Sequence, residues 1–94
     1  MLKPYYTAAA IEDLEEILTF IAKDKPGASL NWVEKIEAKC LLIAAAPDIG
    51  DQMPNLGQNV RASMLGRYVI FHRYAGGRLE ILRVIPGGAE TIEL

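Results

Sequence analysis

Three arginines carry the strongest suggestion of chemistry in this 94-residue sequence. Arg61, Arg73 and Arg83 each fall in a separate short run rich in apolar residues. If those runs are neighbouring strands, side chains on one face converge, and clustered guanidiniums hold a phosphate or a carboxylate. The alternative is that they pair with acids of the chain itself, such as Glu80, Glu90 or Glu93, or with the C-terminal carboxylate. Both remain open at this point.

Other reactive groups are sparse. His72 is the only histidine, so no Ser-His-Asp set is expected, and a lone histidine between Phe71 and Arg73 on a strand reads as structural unless an acid or base faces it. Cys40, the single cysteine, lies among Ala38, Leu41 and Leu42 and reads as a buried, reduced thiol. There is no glycine loop for phosphates and no spacing of paired metal ligands, so neither cofactor nor metal is expected. Trp32, Tyr5, Tyr6, Tyr68 and Tyr74 could stack on bases, but their spacing fits core and core-rim packing better.

The balance of charge narrows the class. A net charge of -2 argues against a general nucleic-acid binder, which needs a surplus of Lys and Arg. The distribution is uneven: Glu12, Asp13, Glu15 and Glu16 crowd the early part, while Arg61 to Arg83 holds five arginines against Glu80 alone. The acids read as the solvated face of a helix; the basic half is either a partner surface or solvated strand edges. The start of the chain has no signal-peptide pattern, and its apolar stretches are too short for a bilayer, so a cytoplasmic protein without membrane attachment is expected.

These residues require a scaffold, and the periodicities supply one. Ala10, Ile11, Leu14, Ile17, Leu18 and Ile21 recur at helical spacing behind Thr7, a good N-cap. A second helix is marked by Asp24 and Pro26 at its start and by Trp32 or Val33, Ile36, Cys40 and Ile43 along one face, until Pro47 and Gly50. The pair forms an antiparallel hairpin joined around Lys23 to Gly27. After a turn-rich link from Asp48 to Gly57 come candidate strands Val60 to Met64, Tyr68 to Tyr74 and Leu79 to Ile85, parted by Gly66 and Gly76-Gly77. Lys3 to Thr7 could add an edge strand. With Leu79, Ile81 and Ile85 on one face of the last strand, and Val69 with Phe71 on one face of the middle one, the helices have an apolar surface to cover. The expectation is one α+β domain over residues 1–94, a helical hairpin packed on a small antiparallel sheet in the order β-α-α-β-β-β.

Several blocks resemble the RelE/ParE toxin superfamily. They are Ala10-Ile11-Glu12-Asp13-Leu14-Glu15-Glu16-Ile17 with Phe20-Ile21-Ala22; Pro47, Gly50, Leu56-Gly57 and Val60-Arg61; Gly66-Arg67-Tyr68-Val69-Ile70-Phe71-His72-Arg73-Tyr74; and Ile81-Leu82-Arg83-Val84-Ile85-Pro86-Gly87. Together they cover nearly the whole chain in order. The resemblance implies a toxin of a type II toxin–antitoxin system, silenced by a cognate antitoxin of the ribbon-helix-helix, ParD-like kind, with DNA contacted only through that antitoxin.

Within the superfamily the residues separate two chemistries. RelE-like toxins cleave mRNA on the ribosome, and Arg61 and Arg83 match the arginines that would steady the phosphate. From Asp48 to Asn59 there is no lysine, however, and the tail Pro86-Gly87-Gly88-Ala89-Glu90-Thr91-Ile92-Glu93-Leu94 has no Tyr or His to move a proton. ParE-like toxins inhibit DNA gyrase by binding and need no catalytic residues, which fits better. The family's histidine and basic pair are missing from the final turn, so an inactive homologue that only binds its antitoxin is a third reading beside the endoribonuclease. The expected functional surface is Arg61, Arg73, Arg83 and the segment Glu90, Thr91, Ile92, Glu93 and Leu94, with no catalytic residue.

Overall fold

A computed structural model describes residues 3–88 and 92–94. Strand β1 (Pro4–Tyr6) leads into helix α1 (Ala8–Asp24) and helix α2 (Pro26–Ala45). Strands β2 (Asp51–Gln52), β3 (Val60–Leu65), β4 (Tyr68–Ala75) and β5 (Arg78–Pro86) follow. The expected β-α-α-β-β-β order is present, with β2 added inside the link.

Thr7 starts α1 as expected. Its Oγ1 accepts from the Ala10 N–H at 3.1 Å and donates to the Leu82 carbonyl at 2.9 Å, tying the helix to β5. The connection between the helices is shorter than the sequence suggested: Lys25 alone separates them, kept out of the helical conformation by Pro26 behind it, with its N–H on the Ile21 carbonyl at 2.9 Å. Lys25, not Asp24, is therefore the N-cap of α2, and it makes no side-chain cap bond.

The sheet runs β1-β5-β4-β3-β2. The meander β3-β4-β5 is antiparallel, whereas β1 lies parallel to β5, Pro4 beside Leu79 and Tyr6 beside Ile81, so the helical hairpin is the crossover between them. The two residues of β2 pair with Arg61 and Ala62 of β3. Gly50 makes that approach possible. Its φ is +90°, and a Cβ there would stand 2.6 Å from the Ala62 carbonyl oxygen.

A register shift corrects the expected faces. Phe71 pairs with Arg83 but His72 pairs with Ile81, so Leu82 is the extra residue of a β-bulge. Beyond it every side chain changes side. The face under the helices takes Leu79, Ile81 and Val84, with Tyr68 and Ile70 of β4, against Ala10, Ile17, Ile36, Cys40, Ile43 and Ala44. Ile85, expected beside Leu79 and Ile81, lies instead with Val69, Phe71, Leu82 and Val60 on the opposite face. Met53 and Leu56 of the link and Ile92 of the tail fold over that second cluster.

The aromatics divide between core and surface. Tyr68 is buried with Trp32 edge-on to it at 5.3 Å, while Tyr5 and Tyr74 are exposed and Arg78 lies 4.0 Å over the Tyr5 ring.

Candidate functional site

The three arginines do not converge, which corrects the first expectation. Cross-strand pairing puts Arg73 beside Glu80, on the face away from the helices, and Arg61 opposite His72, on the helix-side face. Arg83 sits next to the bulged Leu82 and turns toward α1. Each has a different partner.

Arg73 binds Glu80 through Nε at 3.1 Å and Nη2 at 2.9 Å, and Arg78 adds a third bond to the same carboxylate at 3.3 Å. These bonds, Arg73's foremost, hold the Glu80 carboxyl below its ordinary range. The pairing with Glu80 is the alternative the sequence left open.

Arg83 is bound more fully. Its Nε and Nη2 meet the two oxygens of Asp13 at 2.6 and 2.9 Å, a bidentate pair, and its Nη1 donates to the Glu93 carbonyl at 2.8 Å. The hydrogen bonds to Asp13 and the acids Glu12 and Glu16 nearby push the guanidinium further up, against the effect of burial. Asp13 also accepts the Val84 N–H at 3.0 Å, so one carboxylate caps the β5 edge beyond the end of β1. Asp13 is 7% exposed. Reading it with Glu12, Glu15 and Glu16 as solvated surface was wrong; its three- and four-residue steps from Ala10 and to Ile17 place it on the buried face, a signal the sequence did contain.

Arg61 is the exception: among the described residues no carboxylate lies within salt-bridge distance of it. One Nη donates to the Gly50 carbonyl at 3.2 Å, and the side chain lines a polar depression of about 480 Å³ with Gln52, Gln58, Asn59 and Tyr74.

His72 is fully buried, its Nε2 2.8 Å from the Ser63 hydroxyl. Among the described residues Nδ1 has no hydrogen-bond partner. Burial first, and then the positive charges of Arg61 and Lys39, push its pKa down to about 4, so the ring is neutral near pH 7. A serine beside a histidine resembles half of a nucleophilic pair, but among the described residues no acid orients the ring, and both side chains are inside the protein. Their role is structural. Cys40 is buried and unpaired, and burial holds its thiol above its ordinary range. Among the described residues no cluster of His, Cys, Asp and Glu could hold a metal, and no helix is long and apolar enough to cross a membrane.

The tail is partly in place. Ile92 packs on the Val60, Phe71 and Leu82 cluster, the Glu93 carbonyl is held by Arg83, and Leu94 is half exposed. Glu90 and Thr91 lie outside the described residues.

A helical hairpin laid over a mixed sheet, with Arg73 and Arg83 engaged by carboxylates and the one histidine sealed in the core, defines a small α+β domain in which the described residues assemble no proton-transfer site. The comparisons with known proteins give the family. The chain belongs to the ParE toxin family: the description "ParE toxin of type II toxin-antitoxin system, parDE" matches residues 5–90. It is 31% identical over 87 residues to Toxin ParE1 of Caulobacter vibrioides, covering 89% of this chain and 88% of that protein. A solved structure described as a chromosomal ParDE TA system from P. aeruginosa shares the fold with a TM-score of 0.77, covering 92% of this chain and 96% of that one at 22% identity.

Proposed function

We propose that this ParE-family toxin arrests growth by binding DNA gyrase directly, in the cytoplasm and as a single-domain protein, and that a ribbon-helix-helix, ParD-like antitoxin neutralises it. The observation that carries the reading is the state of Arg83. A phosphate-gripping arginine needs open donors, and here two of its nitrogens are taken by Asp13 and the third by the Glu93 carbonyl. A binding inhibitor needs only a shaped surface. Arg61 with its polar depression, and the apolar outer sheet face with the tail across it, supply candidates for the contact.

The test is pulse incorporation of labelled thymidine and labelled methionine within minutes of inducing the toxin, followed by supercoiling assays with purified gyrase. Early failure of DNA synthesis, with loss of supercoiling in vitro, is the expected result. Early failure of protein synthesis would favour mRNA cleavage instead. If neither falls while an antitoxin still binds, the protein is a disarmed homologue.

A further inference from the structure

Arg61 presents an unused binding edge to a polar depression. Its Nη1 donates to the Gly50 carbonyl at 3.2 Å, and among the described residues no acceptor meets its Nε or Nη2. Those are the nitrogens with which the other strand arginines hold acids. Arg83 sets Nε and Nη2 on the two oxygens of Asp13, and Arg73 sets the same pair on Glu80. A planar edge with two parallel N–H groups is the shape complement of a carboxylate.

The surroundings are polar and held in place. Gln52 and His72 are the cross-strand neighbours of Arg61 on β2 and β4, so the three side chains stand in a row on one face of the sheet. Tyr74, two residues on from His72, shares that face and is exposed. The link that carries Gln58 and Asn59 is tied by its own backbone: the Met53 N–H meets the Val60 carbonyl at 2.9 Å, and the Leu56 N–H the Met53 carbonyl at 3.0 Å. Asn59 enters β3 at a φ of +64°, which asparagine tolerates better than most residues. With Gln52 and Tyr74, these two amides ring the depression of about 480 Å³ around a single cation.

Charge decides which anion fits. Asp48 is the one other charged residue of the lining, and it stands beyond salt-bridge distance of Arg61. A phosphoryl group near pH 7 would set close to two negative charges against one guanidinium and repel Asp48 as well, whereas a carboxylate brings one. We propose that the Arg61 depression receives a single carboxylate side chain from an acidic segment of the protein this toxin inhibits. The proposal rests on the binding-inhibitor reading above and adds the contact point and the chemistry of the segment that enters it.

The test is an NMR titration of the full ¹⁵N-labelled chain, following the Arg61 Nε–H and the side-chain amides of Gln58 and Asn59. The probes are two short capped peptides that differ only in a central glutamate or glutamine, and inorganic phosphate. The glutamate peptide should shift these signals saturably and bind at least about fivefold tighter than the glutamine peptide, with phosphate no tighter than the glutamate peptide. Arg61→Gln, checked for fold by circular dichroism, should abolish the discrimination. Arg73→Gln, on the opposite face, should leave it. No binding, equal binding of the two peptides, discrimination that survives Arg61→Gln, or tighter binding of phosphate overturns the proposal. These titrations need no gyrase, so their failure is distinct from failure of the gyrase reading, which would show as undiminished supercoiling.

Discussion

The carboxylate of Asp13 grips the guanidinium of Arg83 across 70 residues of sequence, at 2.6 and 2.9 Å, and takes the Val84 N–H as well. One side chain thus joins α1 to the strand edge next to the bulge, and through Arg83 to the tail. Removing it strands a guanidinium and a backbone donor together. Asp13→Ala should cost about 2–4 kcal/mol in urea unfolding, since unpaired buried donors and charges are expensive. Glu12→Ala, one residue away on the exposed side, should stay within about 0.5 kcal/mol. In a double-mutant cycle with Arg83→Ala the two losses should fall short of additive by at least about 1 kcal/mol; additive losses would mean that the pair acts independently.

Acid should weaken the fold through His72. Its folded pKa of about 4 lies below the ordinary 6.5, so between those values the unfolded chain holds a proton that the folded chain does not. Stability therefore falls as pH drops from 6.5 toward 4 and is insensitive to this group above 6.5. The loss should be on the order of 2–3 kcal/mol. His72→Gln should flatten the curve in that window, and an unchanged slope would assign the acid sensitivity to other groups.

Because the charge of Arg61 helps keep His72 neutral, Arg61→Ala should raise the histidine pKa in an NMR titration. The variant should remain folded, since among the described residues the one hydrogen bond its side chain makes is at 3.2 Å to the Gly50 carbonyl. Growth arrest should weaken if Arg61 belongs to the gyrase contact. Full toxicity with an intact fold would remove it from that surface.

Gly50→Ala places a methyl group against the Ala62 carbonyl at a positive φ of 90°. A loss of about 1–3 kcal/mol is expected, with faster hydrogen exchange at Asp51 and Gln52 as β2 detaches from β3. Among the described residues a Cβ at Gly27 meets nothing within 4 Å, so Gly27→Ala should be neutral or stabilising.

Much of the architecture is written locally. The 3.6-residue recurrence from Ala10 to Ile21, the threonine cap, the proline that opens α2 and the glycines at 66, 76 and 77 each act over a few residues, so elements and their order could be read directly. What the sequence could not decide is which distant backbones meet. Parallel pairing of β1 with β5, closure of β2 on β3 and the meeting of Asp13 with Arg83 depend on how the hairpin crosses over the sheet. The bulge at Leu82 shows the limit most plainly: with a side-chain period of two, one extra residue moves Val84 inward and Ile85 outward, and no local pattern announces it. The candidate site inherits that uncertainty. The arginines were legible by type and spacing, but their partners, and so their availability for chemistry, were settled only when α1 packed against β5.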